Sequence, residues 1–361
     1  MIIDKVELKN FRSYKELSLD LAPGINLFRG SNGQGKTNLL EALYILASSK
    51  SFRSRNEAEL IQFGADFCSI KAMFQKSQGI EREMEARWLK NEQGLSRRFL
   101  KNGVKVDHMG EFLTEAPISL FVPQDLALVQ QGPAFRRRYF DILLCKTSEQ
   151  YFSDLLRFQK ILRQRNELLR RSHSSAEAKV WDIQYIGAAI KVIEARLEAI
   201  GKLSWKAGAC FAKLSPGEAQ FSMRYRPLFP RDPEEAARLL RDKADDERRR
   251  GLTLYGPHRD DIELAIGELS LRRFGSQGQQ RSAALALRLG EAAFLTEALN
   301  EPSVIMLDDC FSELDDGRCQ RLLDIVSKFG QVLVTTADSA SYGANIAEFR
   351  ISLGKAERIC V

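Results

Sequence analysis

Residues 30–37 read GSNGQGKT and satisfy the pattern GxxxxGK[ST] in full. The run follows the strand-like stretch GINLFRG and precedes a helix-forming one, the context in which this pattern holds phosphate. Gly30, Gly33 and Gly35 let backbone N–H groups turn inward toward phosphate oxygens, and the following helix adds the positive end of its dipole. The stretch Gly30, Ser31, Asn32, Gly33, Gln34, Gly35, Lys36, Thr37 and Asn38 is therefore the candidate cradle for a nucleoside triphosphate. Lys36 is placed to reach the β- and γ-phosphates, and Thr37 to offer its hydroxyl to Mg2+.

Such a loop needs a second Mg2+ partner on a neighbouring strand. The run SVIMLDDCFSELD supplies it, with four apolar positions followed by Asp308 and Asp309. A buried strand leaves those carboxylates at its C-terminal end, where open α/β sheets hold ligands. Asp308 is the candidate Mg2+ partner and Asp309 the candidate base that polarises water. A second glycine-bearing turn, FGSQGQQR at 274–281, also opens a helix. One chain thus carries two turns suited to phosphate, although a single triphosphate needs only the first.

The elements around these residues fall into three stretches. IIDKVELKNF and LSLDLAPGINLFRG read as strands leading to the glycine loop, and TNLLEALYILAS places leucines at helical spacing. Short alternating runs fill 68–106, with the hairpin signal Asn102–Gly103. APISLFVPQDLALV is a buried strand stopped by Pro123. From about Gly132 the texture becomes helical. YFSDLLRFQKILRQRNELLRR is amphipathic with an arginine-rich face. After the break SHSSAE, isoleucines and leucines from Ile183 to Ile200 alternate three and four apart, a short heptad seam. These two helices are expected to fold back on each other as arms about 30–50 Å long. Strand texture returns at LTLYGPHRDDIELAI, followed by the second turn, a helix, PSVIMLDD, a further helix and QVLVTTAD. The expected division is a nucleotide-binding lobe at 1–132, an inserted helical arm at 133–250 and a second lobe at 251–361.

Composition narrows the class. No apolar run approaches the ~20 residues that span a bilayer. Six cysteines are scattered without a CxxC pair, which points to reduced thiols in a cytoplasmic protein and away from a zinc site. The net charge is +6. Residues 134–250 carry 25 Lys and Arg against 16 Asp and Glu, so the helical third holds the whole excess. That face is either a solvated helical surface or a surface for polyanions.

Together these blocks resemble an ABC-type ATPase of the SMC/RecF kind. FGSQGQQR stands where that superfamily has its signature turn, with Ser276, Gly278 and Gln279 at the serine, glycine and glutamine positions. SELD at 312–315 matches the D-loop. LKNFRSY (8–14), GPHRDD (256–261) and LDDCFSELD (307–315) are similar to blocks of the RecF family, and they spread over nearly the whole chain. The resemblance implies an α/β ABC/SMC-type P-loop ATPase head of two lobes with an inserted helical arm, using ATP and Mg2+. It also explains the second turn. In this superfamily the signature turn reaches across a head-to-head homodimer to the γ-phosphate held by the partner's P-loop, so Ser276 joins Lys36 and Asp309 as a catalytic candidate.

Further assignments rest on the resemblance alone. Gln124 stands where ABC proteins have a Q-loop glutamine, although RecF relatives have glutamate there; a polar turn residue is the alternative. Arg12 resembles a nucleotide-contacting arginine, with a surface ion pair as the alternative. His258, Arg259 and Asp260 match a family block and could serve either a buried hydrogen-bonded network or a ligand. Asp309 replaces the usual glutamate by a side chain one methylene shorter, which implies slow turnover. Thr335, Thr336, Ala337 and Asp338 stand where a switch histidine is usual.

The resemblance implies a role in DNA replication and recombinational repair. The implied partners are double-stranded DNA and single/double-strand junctions, RecR and RecO, and functionally RecA, on the nucleoid and without a membrane. Arg136, Arg137, Arg138, Arg157, Lys160, Arg163 and Arg165, with Arg170 and Arg171, are the candidate phosphate contacts. The alternatives are an SMC-type DNA tether, for which the arm is far too short, and the ATPase subunit of another complex such as a transporter.

Overall fold

The computed structural model describes residues 1–171, 175–337 and 346–359. Asp338 of the expected switch region lies outside the described residues. Two six-stranded sheets frame the P-loop helix Lys36–Ser48. The first is antiparallel and meanders through Tyr14–Asp20, Ile2–Phe11, Phe67–Gln75, Glu81–Asn91, Gly94–Lys101 and Val104–Lys105. Its last hairpin turns at Asn102 and Gly103, both with positive φ, as the NG pair requires. The second runs in the order Lys355–Ile359, Ile346–Ser352, Gly24–Arg29, Gln331–Thr336, Val304–Asp308, Ile118–Phe121. All its pairings are parallel except that of the terminal hairpin.

The strand Val304–Asp308 is apolar at four consecutive positions because both its faces are covered. Val304 and Met306 pack toward the first sheet and the P-loop helix. Ile305 and Leu307 pack toward the helices on the opposite side. The P-loop helix is accordingly buried on nearly every side, including the carboxyl of Glu41.

Two helices, Glu149–Arg170 and Ser175–Leu214, pack against each other as the periodicity implies. The second is 40 residues long, and it lies along the signature helix Gln277–Leu299. Its seam starts later than the sequence suggests, since Ile183 is 71% exposed and the buried positions begin at Tyr185 and Ile186. One hydrophobic core joins both helices, the signature helix and the far face of the parallel sheet. The segment expected as an arm therefore shares its interior with the head. A small third sheet, Leu269–Ser270, Asp261–Ile266 and Phe221–Arg226, ties the end of the helical segment to the residues before the signature turn. Phe221–Arg226 lies in a proline-flanked stretch that reads as a boundary, and the return to strand begins at Asp261, not at Leu252.

Candidate nucleotide site

Strand register brings the expected residues to one edge. Phe28 pairs with Thr335, Thr335 with Asp308, and Leu307 with Phe121. The carboxyl ends of four parallel strands thus present Gly30, Thr335 and Thr336, Asp308 and Asp309, and the turn carrying Gln124. Gln124 is exposed in the turn Pro123–Asp125, whereas its neighbour Asp125 is buried and bonded to Arg288 at 2.6 and 2.9 Å.

The loop itself is clamped from two sides. Gly30 packs so close to the strand Ile346–Ser352 that a Cβ there would lie 2.3 Å from the Ile351 carbonyl oxygen. Gly35 has φ 113°, and its carbonyl accepts a hydrogen bond from the buried Tyr14 hydroxyl at 3.0 Å. On the other side Gln34 Oε1 accepts from the Leu353 N–H at 2.8 Å. Ser31, Asn32 and Gly33 are left exposed at the tip. The helix that starts at Lys36 has no side-chain cap, so its first N–H groups remain directed at the loop.

Lys36 is 6% exposed and its ammonium donates to the Ser31 carbonyl at 3.0 Å and to that of Gly30. Burial holds its pKa below the usual lysine range, while Asp309 and Asp308 pull the other way. Thr37 donates to Asp308 Oδ1 at 3.0 Å, and Thr335 donates to the same oxygen at 2.7 Å. Burial raises the Asp308 pKa, and these two hydrogen bonds oppose the rise. Asp309 adopts φ 47°, a left-handed conformation uncommon outside glycine. Its N–H is held there by the Thr335 hydroxyl at 3.0 Å and carbonyl at 3.2 Å. One threonine hydroxyl therefore positions both acidic residues.

Arg12 also has positive φ, 51°. Its guanidinium grips Glu41 with two hydrogen bonds of 2.7 and 3.0 Å and donates to the Glu59 carbonyl at 2.9 Å. The ion pair weighed as its alternative role is thus formed, with a buried carboxylate of the P-loop helix. Asn38 receives a hydrogen bond from Arg53 at 2.8 Å and donates to Ser13 at 2.9 Å.

The second turn is a helix N-terminus on the surface. Ser276 is the N-cap of the signature helix, and its hydroxyl and the Gln279 side chain exchange hydrogen bonds with each other's backbone N–H. Gln279 also donates to Glu218 at 2.7 Å, and Gly278 lies beside the Arg318 guanidinium. These partners come from the turn after the long helix and from the helix Asp316–Val326.

Two of the expected phosphate contacts are spent inside the protein. Arg136 is 5% exposed and makes paired hydrogen bonds to Asp261 at 3.0 and 3.1 Å. Arg165, equally buried, binds Asp182 at 2.9 Å, Glu247 at 2.7 Å and Thr253 at 2.8 Å. Both point inward because helical phase places them on the apolar stripe, Arg165 following Phe158 and Ile161 at heptad spacing. Arg137 is half-buried and donates to the Asp260 carbonyl at 2.6 Å. Arg138, Arg157, Lys160, Arg163, Arg170 and Arg171 are exposed.

The GPHRDD block forms the buried network weighed above. Asp260 accepts from Tyr225 and from the Leu228 N–H at 2.8 Å. Arg196 bonds to Asp141 at 2.7 Å and to the Pro257 carbonyl at 2.7 Å. His258 bonds to the Thr253 carbonyl at 3.0 Å, and burial lowers its pKa to about 4. At neutral pH its ring is therefore uncharged and Nε2 is the donor. Arg259 is exposed.

Sequence reasoning missed Tyr14, Glu41 and the orienting role of Thr335. The contacts they make lie 21, 29 and 27 residues away, so local motif spacing does not show them. Among the described residues no group of three or more His, Cys, Asp or Glu side chains forms a ready metal cage. Nor is any helix among them long and apolar enough to cross a membrane.

Comparison with known proteins agrees with this geometry. Residues 2–355 match the model of the RecF/RecN/SMC N-terminal domain. The DNA replication and repair protein RecF of Heliobacterium modesticaldum is 37% identical, with 99% of each chain covered. That of Lysinibacillus sphaericus is 34% identical, with 93% of each covered. A solved structure of the recombination mediator protein RecF with ATP, in the RecFOR pathway, superposes with a TM-score of 0.90 at 28% identity, covering 99% of this chain and 97% of that one. An SMC head bound to the winged-helix domain of ScpA shares the fold, with a TM-score of 0.56 at 19% identity over 99% of this chain and 97% of that one.

Proposed function

The chain belongs to the RecF family of DNA replication and repair proteins, with an ABC/SMC-type ATPase fold, and on that premise we propose that it is an ATP-switched recombination mediator whose two copies close around DNA. The carrying observation is the contrast between two glycine-bearing turns that each open a helix, one enclosed with its acidic strand end and the other capped and exposed. ATP lies in the P-loop with Lys36 at its terminal phosphates. Mg2+ fits the oxygen pair of Thr37 and Asp308, whose 3.0 Å hydrogen bond it would replace, and supplies neutralising charge when bound. Arg12 is the adjacent cation that can exchange Glu41 for nucleotide.

Ser276, Gly278 and the helix N-terminus of a second copy complete the pocket at the γ-phosphate, where a positive helix end is stabilising. Asp309 takes up a proton from the attacking water, its carboxylate aimed by the constrained backbone, and Gln124 lines the same edge. Hydrolysis removes the γ-phosphate that both copies hold, and the dimer opens. The expected turnover is slow, with duplex DNA raising the rate.

Exposed Arg157, Lys160 and Arg163 on the helix Glu149–Arg170 favour a sequence-indifferent grip on phosphates. In this reading the mediator works beside single-strand gaps, with RecR and RecO as its partners, and helps RecA assemble.

Light scattering with ATP and Mg2+ tests the shared pocket. The unmodified chain should dimerise, whereas Ser276→Arg should bind ATP and remain monomeric. A Ser276→Arg dimer of unchanged affinity removes the trans contact from the mechanism.

A further inference from the structure

Gln34 sits inside the P-loop motif, yet both its oxygens already accept hydrogen bonds from a turn 319 residues away. Its side-chain Oε1 accepts from the Leu353 N–H at 2.8 Å, and its carbonyl accepts from the Gly354 N–H at 3.3 Å. Leu353 and Gly354 form the two-residue turn between the hairpin strands Ile346–Ser352 and Lys355–Ile359, where Ser352 pairs with Lys355. Both have positive φ, 49° and 72°, as in a type I′ turn. Adjacent N–H groups in such a turn can share one concave face suited to oxygens, and Gln34 occupies it. Leu353 is 84% exposed, so burial of its side chain does not offset a conformation that leucine rarely takes. Strain of this kind persists where the surroundings over-determine it.

The turn is wedged in place. A Cβ on Gly354 would overlap the Ser13 carbonyl, so the turn lies directly against Arg12–Tyr14. Ser13 in turn accepts from Asn38 at 2.9 Å, and Tyr14 donates to the Gly35 carbonyl at 3.0 Å. Arg29, the residue before the loop, donates to Glu348 on the first hairpin strand at 3.1 Å.

A P-loop binds phosphate with its backbone N–H groups, so its carbonyls must find donors elsewhere. Those of Gly30 and Ser31 take the Lys36 ammonium, a partner that is lost when Lys36 turns to phosphate. Those of Gln34 and Gly35 take Gly354 and Tyr14, which lie outside the loop and can stay. We propose that Gln34 is a positioning residue and not a phosphate ligand: latched to the Leu353–Gly354 turn, it holds the loop in binding geometry before nucleotide arrives. The inference rests on the ATP-binding reading above and adds a residue role to it. Only molecules with the loop in that geometry bind, so opening the latch lowers nucleotide affinity by the fraction lost. The latch acts on the loop and not on the γ-phosphate, so ATP and ADP share the effect.

The test measures binding of fluorescent ATP and ADP analogues, steady-state hydrolysis and urea unfolding. It compares the unmodified chain with Gln34→Met, Gly354→Ala, the double variant and Glu357→Gln, an exposed change on the same hairpin. Gln34→Met keeps the side-chain length and deletes the acceptor. It should weaken both nucleotides by about tenfold and raise KM to match, with kcat at saturation within about threefold. Gly354→Ala should weaken them at least as much. The double variant should fall no more than about twofold below the worse single, because both changes open one latch. Glu357→Gln should stay within about twofold of the unmodified chain, as a change that touches neither the turn nor the loop. Loss of ATP binding without loss of ADP binding would make Gln34 a γ-phosphate contact and overturn the proposal. So would unchanged affinity in Gln34→Met, whether or not its urea midpoint falls, a drop in kcat with KM unmoved, or losses that add in the double variant. If Gly354→Ala does not fold, Gln34→Met alone decides. An unmodified chain that binds neither nucleotide removes the ATP reading itself.

Discussion

At the P-loop, Gly35 is buried under Tyr14 and Ser13, Lys36 is bonded to its own loop, and Thr37 already touches Asp308. At the signature turn, Ser276 is exposed and its hydroxyl closes on Gln279 of the same helix. The first site is held from outside by two sheets and a hairpin. The second is shaped mainly by the reciprocal cap of its own first turn, with Gln279 also bonded to Glu218. A turn organised this way can meet a ligand carried by another molecule without first being rebuilt, whereas the P-loop keeps its geometry only inside the fold. The contrast makes the two turns separable by mutation.

Hydrolysis should break the contrast most sharply. Asp309→Asn removes the proton acceptor while both turns persist, so turnover should fall by about 10²–10⁴. The ATP-bound dimer should then persist in size-exclusion runs that show the unmodified chain returning to monomer. A monomeric Asp309→Asn in ATP would count against this carboxylate as the base. Next comes Lys36→Ala, which removes a charge-assisted contact worth about 3 kcal/mol, or roughly 100-fold in ATP affinity. Ser276→Arg should leave that affinity within about threefold, as read with a fluorescent ATP analogue.

The same substitution in both turns sharpens the comparison further. In Gly35→Ala the new Cβ would stand 2.9 Å from Ser13 Oγ and 3.1 Å from Tyr14 OH, at φ 113°. A cost of about 1–3 kcal/mol in stability is expected. At Gly278 a Cβ meets only the Arg318 guanidinium at 3.4 Å, the mobile end of a long side chain. Gly278→Ala should leave stability unchanged or raise it by up to about 1 kcal/mol, as helix propensity dictates. Urea midpoints of the two variants decide the matter, and equal destabilisation would show that the signature turn is as embedded as the P-loop.

What the sequence revealed divides along similar lines. Gly30–Thr37 and Asp308–Asp309 were legible because each motif is local and its strand context adjoins it. The parallel sheet then aligns them by register, which follows from the strands. The fates of Arg136 and Arg165 were harder to read. Their acceptors Asp261 and Glu247 lie 125 and 82 residues away, and a run such as Arg136–Arg138 looks uniform until helical phase turns one member inward. A signal did exist for Arg165, which falls in step with Phe158 and Ile161.

Thr335 offers the smallest effect and the finest discrimination. Its hydroxyl donates to Asp308 at 2.7 Å and receives the Asp309 N–H at 3.0 Å, while the Thr335 carbonyl shares that N–H at 3.2 Å. Thr335→Val keeps the shape and the carbonyl contact but deletes the bridge, so stability should fall by only about 1 kcal/mol. Asp308 then keeps a single stabilising hydroxyl, from Thr37, against the burial that raises its pKa. Its pKa moves further up, it ionises only at higher pH, and the acid limb of ATP hydrolysis should shift upward with it. Nucleotide affinity without Mg2+ depends on the P-loop and should stay within about threefold. An unmoved acid limb would mean that Asp308 is aimed by the strand backbone alone, and that the threonine serves packing.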